Sequence, residues 1–409
     1  MHDSHPTPTL ISRTGVTYFP LALIARLPFA MMVVGVLTLI VSARGSLELG
    51  GLASAVVGVG SALVSPFVGA AADRFGQRIA LLLTAVSHSI SLVALAWIAY
   101  SAAPDFWMLA VAFAVGATSP QASPMSRSRL VLIIQHFLPV ERRPKALAKV
   151  LAYESAADEV VFVFGPVLVG VLATIFGART PIIAAAVLTI LVITAFALHH
   201  TSAPAKSAAE RAETLAPASH LGRPTLLAVV AGITGVGLVF GTTLTALTAF
   251  MQELGDPEAA GLFYGIMGVG SAILAITVSL FSPKFTLRYR WLVFASLVVI
   301  GEALLATSDS IAQISLGLAV TGFGIGPLLV TLYGLGAARS PEGRSATVMT
   351  MLGSGVILGQ SLASAVTGSV AENVSVSASL VLPLIAAAFT LVVGGLNWVL
   401  TPAGSGREA

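Results

Sequence analysis

The stretch "HTSAPAKSAAERAETLAPASHLGR", residues 200–223, is rich in Ala, Ser, Pro and charge and reads as a solvated linker. A bilayer crossing needs about 20 mostly apolar residues. Before the linker such runs fall near 17–43, 48–72, 78–101, 106–136, 146–176 and 180–199. After it they fall near 225–251, 259–282, 290–308, 311–337, 345–371 and 377–400. Twelve spans divided six and six predict an all-α membrane protein of two six-helix bundles. The expected organisation is a tail over 1–16, a first bundle over 17–199, a linker over 200–224, a second bundle over 225–401 and a tail over 402–409.

Composition points the same way. The chain has 409 residues, of which 56% are hydrophobic and 10% charged, where soluble domains carry about a quarter charged. A net charge of +3 is no argument for nucleic acid, because in a membrane chain the placement of charge is what matters. With no cysteine, disulfides, thiolate metal sites and a cysteine nucleophile are excluded. The polar N-terminus leads into an apolar segment too long for a signal-peptide core, so no cleavage is expected. The use of Arg over Lys, with abundant Ala and Gly, suits a bacterial source, and the cell membrane is the expected location.

Positive charge orients the chain. With the N-terminus inside, the inner segments hold sixteen bases, among them Arg13, Arg74, Arg78, Arg142, Arg143, Lys145, Lys149, Arg339 and Arg344. The outer loops hold Arg44 and Arg179 alone. Both termini are thus expected in the cytoplasm. Three arginines remain, and they fall within spans: Arg26, Arg127 and Arg129. A weak internal repeat is also visible. At an offset of 200, "RRPKALAKVLAYES" (142–155) overlies "PEGRSATVMTMLGS" (341–354), both running from a basic turn into a span.

The turn after the second span reads "GAAADRFGQR", Gly69 to Arg78. Gly69 permits close helix approach, Gly76 a tight turn, and Arg74 and Arg78 hold the loop inside. This resembles the loop signature of the major facilitator superfamily, Gly-x-x-x-Asp-Arg-x-Gly-x-Arg. With six-plus-six spans the resemblance covers nearly the whole chain. It implies that Asp73 holds a gate against the start of the span beginning near Ser345, where a helix dipole favours an anion; the plain alternative is a solvated loop charge. Ala71 and Gln77 depart from the commoner Leu and base. In the fifth span "FGPVLVG" is similar to the Gly-Pro signature of family antiporters, matching at Gly165, Pro166 and Gly170, although Ala152 and Val161 stand where earlier glycines are expected. The match implies helix packing and leans slightly towards efflux. "SPMSRSRL" together with "YESAADEVVFVFGP" is similar to a group of actinobacterial members and implies no substrate.

The fifth span also carries Glu154, Asp158 and Glu159. An ionised group at mid-membrane costs about 2.5–3.5 kcal/mol on insertion scales. Spans four and five are antiparallel about the turn 138–145, which sets the three acids within about one helical turn of the depth of Arg127 and Arg129. Arg26 lies level with Glu154. The family resemblance makes spans one, four and five neighbours, so all six groups are expected in one charge cluster. Glu154, Asp158 and Gly165 share a helix face, whereas Arg127 and Arg129, two residues apart, point nearly opposite ways. Glu154 and Asp158 are the lead proton sites and Arg26 their counter-ion; the bland alternative is a neutral cluster that orders the bundle.

Lesser candidates are His88 as a satisfied packing residue, His136 at the interface, and Glu302 near the outer end of its span, expected to snorkel. Phe29, Tyr153, Phe240 and Tyr264 are candidates to line a substrate cavity. The second half has no deep charge cluster, and the Thr, Gly and apolar residues of spans seven and ten suit a weakly polar or amphipathic molecule. No phosphate-binding loop, metal spacing or nucleophile motif occurs, so neither an enzyme nor a cofactor is expected. The reading is a monomeric secondary transporter that exchanges protons for a small amphipathic or drug-like solute. Its rivals are an importer by proton symport and a non-transporting membrane scaffold.

Overall fold

The computed structural model describes residues 10–202, 215–255, 259–282, 284–308 and 310–401; the side chains of Val33, Leu47, Glu48, Glu159, Val163, Pro166, Ala259, Leu262 and Ser279 lie outside the described part. Every regular element among the described residues is helical. Among the described residues, ten helices are long and apolar enough to cross a membrane, and a shorter apolar helix covers Phe263–Thr277. The remaining expected span, 106–136, is two pieces, each too short to count alone.

In the first half these are α1 Tyr18–Ile24, α2 Leu27–Arg44, α3 Leu47–Phe75, α4 Gln77–Ile98, α5 Asp105–Ala117, α6 Ala122–Phe137, α7 Arg143–Phe176 and α8 Thr180–Leu198. The second half holds α9 Pro224–Glu253, α10 Ala259–Thr277, α11 Leu287–Ala306, α12 Ile311–Arg339, α13 Ser345–Asn373 and α14 Leu382–Leu400. Large apolar side chains such as Phe67, Leu83, Phe164, Leu191 and Val392 face outward, where lipid would solvate them.

Two spans are broken, and proline explains both. Pro28 sits at the start of α2 and has no N–H to give the preceding turn. The Ile24 carbonyl therefore loses its helical donor and the chain loosens between Ile24 and Leu27; the Arg26 N–H turns to the Leu23 carbonyl, and the Ala22 carbonyl accepts from the Arg26 guanidinium at 2.5 Å. Between α5 and α6 the helix stops at Thr118 and restarts after Gln121, around Pro120. The turn between α3 and α4 is a single residue, Gly76, whose φ of 89° favours glycine.

The packing has the pseudo-twofold pattern of the major facilitator fold. Within the first half, span one packs on span five (α2 on α7), two on four (α3 on α5) and three on six (α4 on α8). The second half repeats these pairs as α9 on α13, α10 on α12 and α11 on α14. The halves meet through α3 with α13 and α7 with α10, and also through α6 with α13 and α7 with α12. At 34 residues α7 measures about 51 Å, longer than the ~30 Å hydrocarbon layer, so an end of it projects.

Candidate functional site

Arg26 enters at the break between α1 and α2, where its side chain is freed to reach α7. Its Nη2 donates to Glu154 Oε2, and its Nε donates to Asp158 Oδ1 at 2.7 Å. From α6, Arg127 Nη2 donates to the other Asp158 oxygen at 2.6 Å. Asp158 thus bridges two guanidinium groups. Ser123, four residues before Arg127 and on the same face, donates to Asp158 Oδ2 at 2.9 Å and accepts from Arg127 Nη1 at 2.6 Å. Ser126 donates to Glu154 Oε1 at 2.8 Å, and Tyr18 shares a hydrogen bond with Ser126 at 2.9 Å. Two arginines and two acids balance, and every acid oxygen has a partner, which is the condition for burying such charges.

The two acids differ in access. Glu154 is fully buried, whereas the Asp158 side chain is 23% exposed. Arg127 also reaches across the molecule: its guanidinium lies 3.9 Å from the centroid of the Tyr333 ring on α12. The cluster is therefore wired to the second half through a cation–π contact. The Arg127 Nε has no hydrogen-bond partner among the described residues.

Arg129 is a correction. It joins no ion pair among the described residues and points the other way round α6. Its Nε donates to Gln77 Oε1 at 3.0 Å, and its Nη1 donates to the Phe196 carbonyl at 3.2 Å and to the Thr201 hydroxyl at 3.1 Å. Its guanidinium also lies over the Phe196 ring at 4.2 Å. Residues two apart on a helix differ by about 200°, so α6 cannot turn both arginines towards α7. The side chain of Glu159 lies outside the described residues.

At the arginine-rich end, Asp73 sits against the first turn of α13. Its carboxylate accepts from the backbone N–H of Ala346 at 3.0 Å, the N–H of Thr347 at 2.7 Å and the Thr347 hydroxyl at 2.6 Å. These N–H groups have no intrahelical acceptors, and the helix dipole adds to their attraction for an anion. One turn earlier, Gly69 faces α13 so closely that a Cβ there would collide with Thr350, Ala346 and Thr347. Arg74 and Arg78 are exposed. Beside this junction, between α6 and the turn into α13, is a cleft of about 360 Å³ lined by Leu132, Gln135, His136, Ser340 and Glu342 among others.

The Gly-Pro segment divides. Gly165 packs on α2, and a Cβ there would meet Ala30 at 2.7 Å. Gly170 is a correction: it is exposed with nothing near its missing side chain, because it has rotated to the outer face of α7, and it packs no helix. The helix runs without interruption through residue 166.

None of the four aromatic candidates lines the cleft beside α6. Phe29 packs edge-on to Phe162, and the Tyr153 hydroxyl donates to the Phe19 carbonyl at 2.9 Å. Phe240 and Tyr264 lean on the apolar core of the second half. His88 is buried, with Nδ1 2.9 Å from the Val115 carbonyl, and His136 is exposed. Glu302 does not snorkel: it is fully buried, held by the Thr243 hydroxyl at 3.0 Å.

Sequence reasoning missed Tyr333, Ser123, Ser126 and Tyr18. The four-residue spacing of Ser123 and Arg127 is a signal for the first of these serines; nothing local marks Tyr333.

Fold and site together define a two-bundle membrane carrier with a charge cluster in one half and a polar latch between the halves. Residues 18–352 match the Major Facilitator Superfamily, and the chain belongs to this family of membrane transporters. Among curated relatives, AraJ of Escherichia coli is 28% identical over 113 residues, which is 27% of this chain and 28% of AraJ. The match thus spans little more than a quarter of that relative. Solved structures share the fold at low identity. The human organic anion transporter MFSD10 is 18% identical with a TM-score of 0.69, covering 95% of this chain and 100% of its own. A bacterial homologue of the iron transporter ferroportin is 16% identical with a TM-score of 0.69, covering 94% and 98%. The Escherichia coli fucose:proton symporter FucP is 14% identical with a TM-score of 0.62, covering 92% and 98%.

Proposed function

We propose that this transporter exports a small amphipathic or drug-like molecule in exchange for protons, by alternating access of the bundles 17–199 and 225–401. It works as a monomer in the cytoplasmic membrane of a bacterium, with both termini inside. The observation that carries the reading is Asp158: partly exposed, bonded to Arg26 and Arg127, and one side chain away from Tyr333 in the other half.

Proton uptake on Asp158 would remove the charge that holds Arg127 and one of the two that hold Arg26. Arg127 would then be free to leave the Tyr333 ring or to draw its other neighbours in. Glu154, fully enclosed, keeps Arg26 anchored throughout. The bond from Asp73 to the first turn of α13 would serve as the inner gate, broken when the halves rock. Phe29, Tyr153, Phe240 and Tyr264 carry no part of this reading.

A second reading is import of an organic anion by proton symport. It is supported by the unpartnered Nε of Arg127, a donor at the edge of the cluster. Against it stands the pairing of both arginines with acids. The deciding experiment uses the protein in liposomes with a pH-sensitive dye inside and an imposed proton gradient. Solute-dependent proton movement opposite to solute movement supports exchange; movement in the same direction supports symport. Absence of solute-dependent flux across a broad amphipathic library would overturn both.

A further inference from the structure

Glu302 is the one buried acid among the described residues of the second half, and the Asp158 mechanism makes no use of it. It lies four residues before the end of α11 and is 0% exposed. The Thr243 hydroxyl on α9 donates to its Oε1 at 3.0 Å, and Thr321 on α12 packs against the neighbouring Gly301, which puts its hydroxyl close to the same carboxyl. Both threonines are buried, at 0% and 1% exposure. Threonines in apolar helices usually return their hydroxyl to the carbonyl one turn back. Thr234, Thr242, Thr248 and Thr331 do so here, whereas Thr243 turns to Glu302 instead. Among the described residues, the Glu302 Oε2 and the Thr321 hydroxyl have no hydrogen-bond partner.

Among the described residues, charge is missing around this acid. The charged and titratable groups on its own helix, Arg288, Tyr289 and Arg290, lie at least twelve residues away, about 18 Å along the axis. On α12, Tyr333 and Arg339 lie twelve or more residues beyond Thr321, and on α9, Glu253 lies ten beyond Thr243. The packed helix α14 carries no charged or titratable residue. An ionised carboxylate here would have neither solvent nor counter-ion.

Space is short too. A Cβ on the adjacent Gly301 would collide with the Thr321 hydroxyl and lie 2.5 Å from the Thr321 backbone nitrogen, so α11 and α12 touch backbone to backbone. A hard cation needs six or more oxygens around it. The side chains here that present oxygens are Glu302, Thr243 and Thr321. A proton needs one.

We propose that Glu302, framed by Thr243 and Thr321, is a second proton-binding site, standing in the half opposite the Asp158 cluster. The proton sits on Oε2, the oxygen without a partner, while Oε1 accepts from Thr243. This site is independent of whether Asp158 carries the coupled proton.

Infrared difference spectroscopy on the full chain in lipid nanodiscs, stepped from neutral to alkaline pH, tests it. The wild type should show a carboxylic C=O band at neutral pH that is lost in Glu302→Gln and kept in the Glu154→Gln/Asp158→Asn variant. Thr243→Val and Thr321→Val should each shift that band in frequency as a neighbouring hydroxyl is removed, which keeps the test alive should Glu302→Gln fail to fold. A Glu302→Gln spectrum identical to wild type would overturn the proposal. So would a wild-type band that sodium or potassium abolishes at constant pH, since a metal cation would then be the occupant.

Discussion

Span five and its twin, span eleven, occupy equivalent places in the two halves and are fastened by opposite means. In the first half α7 is tied to α2 by ions: Glu154 and Asp158 to Arg26, with Arg127 added from α6. In the second half α13 lies against α9 with backbones nearly touching. A Cβ on Gly237 would strike the Val356 carbonyl, one on Gly241 the Gln360 carbonyl, and one on Gly359 the Thr234 carbonyl. At the offset of 200, Glu154, Asp158 and Glu159 fall on Ser354, Leu358 and Gly359. The fold can thus fasten this pair of helices with glycine and dispersion alone. Charge in the first half is therefore an addition that the fold itself does not require.

Breaking the ionic side should have the largest effect. Arg26→Met leaves Glu154 without its counter-ion in a buried site and should destabilise the protein by about 3–5 kcal/mol. Adding Glu154→Leu to Arg26→Met should return part of that loss, as thermal unfolding in detergent would report. A double variant no more stable than the single would mean that the pair contributes nothing by its charge.

Overpacking the glycine side should come next. Gly237→Leu should cost about 1–3 kcal/mol by forcing α9 and α13 apart, read by the same melt. Gly165→Leu tests whether the first half has a glycine seam of its own beneath the ions, since Gly165 meets Ala30; a loss matching that of Gly237→Leu would blur the contrast between the halves.

The latch between the halves is weaker. Asp73→Asn removes the anion from the first turn of α13 and should cost about 1 kcal/mol. Because the chain has no cysteine, single cysteines placed on α3 and α13 can be labelled cleanly. Labelling at the arginine-rich end should rise in Asp73→Asn; unchanged labelling would remove Asp73 as a gate. Smallest of all, Gly170→Ala should change stability by no more than about 1 kcal/mol, in the stabilising direction, because the site is open and alanine favours a helix. A loss would mean that this face of α7 is covered.

Much of the architecture is legible in the sequence because the bilayer imposes it. Apolar length marks the spans, and the ends of α3, α8, α9, α12 and α13 fall within a few residues of the expected limits. The meeting of Arg26, Arg127, Glu154 and Asp158 follows from depth, phase and the neighbours that the family resemblance supplies. The rest depends on contacts with no local signature. Tyr333 lies more than two hundred residues from Arg127, and the burial of Glu302 depends on two threonines from other helices. The break before Arg26 was open to reading, since Pro28 announces it. So was the separation of Arg129, because a two-residue step already turns it away from α7.

The junction at Asp73 carries a consequence for how this protein tolerates change. Its acceptor is a side chain, and two of its three donors are main-chain groups that any residue but proline supplies. Genetic variation should therefore be lopsided across the contact. Position 73 should be the more restrictive in a saturation screen, while 346 accepts many small residues and 347 loses one donor when its hydroxyl goes, so a contact that is sensitive from one side should look much quieter from the other.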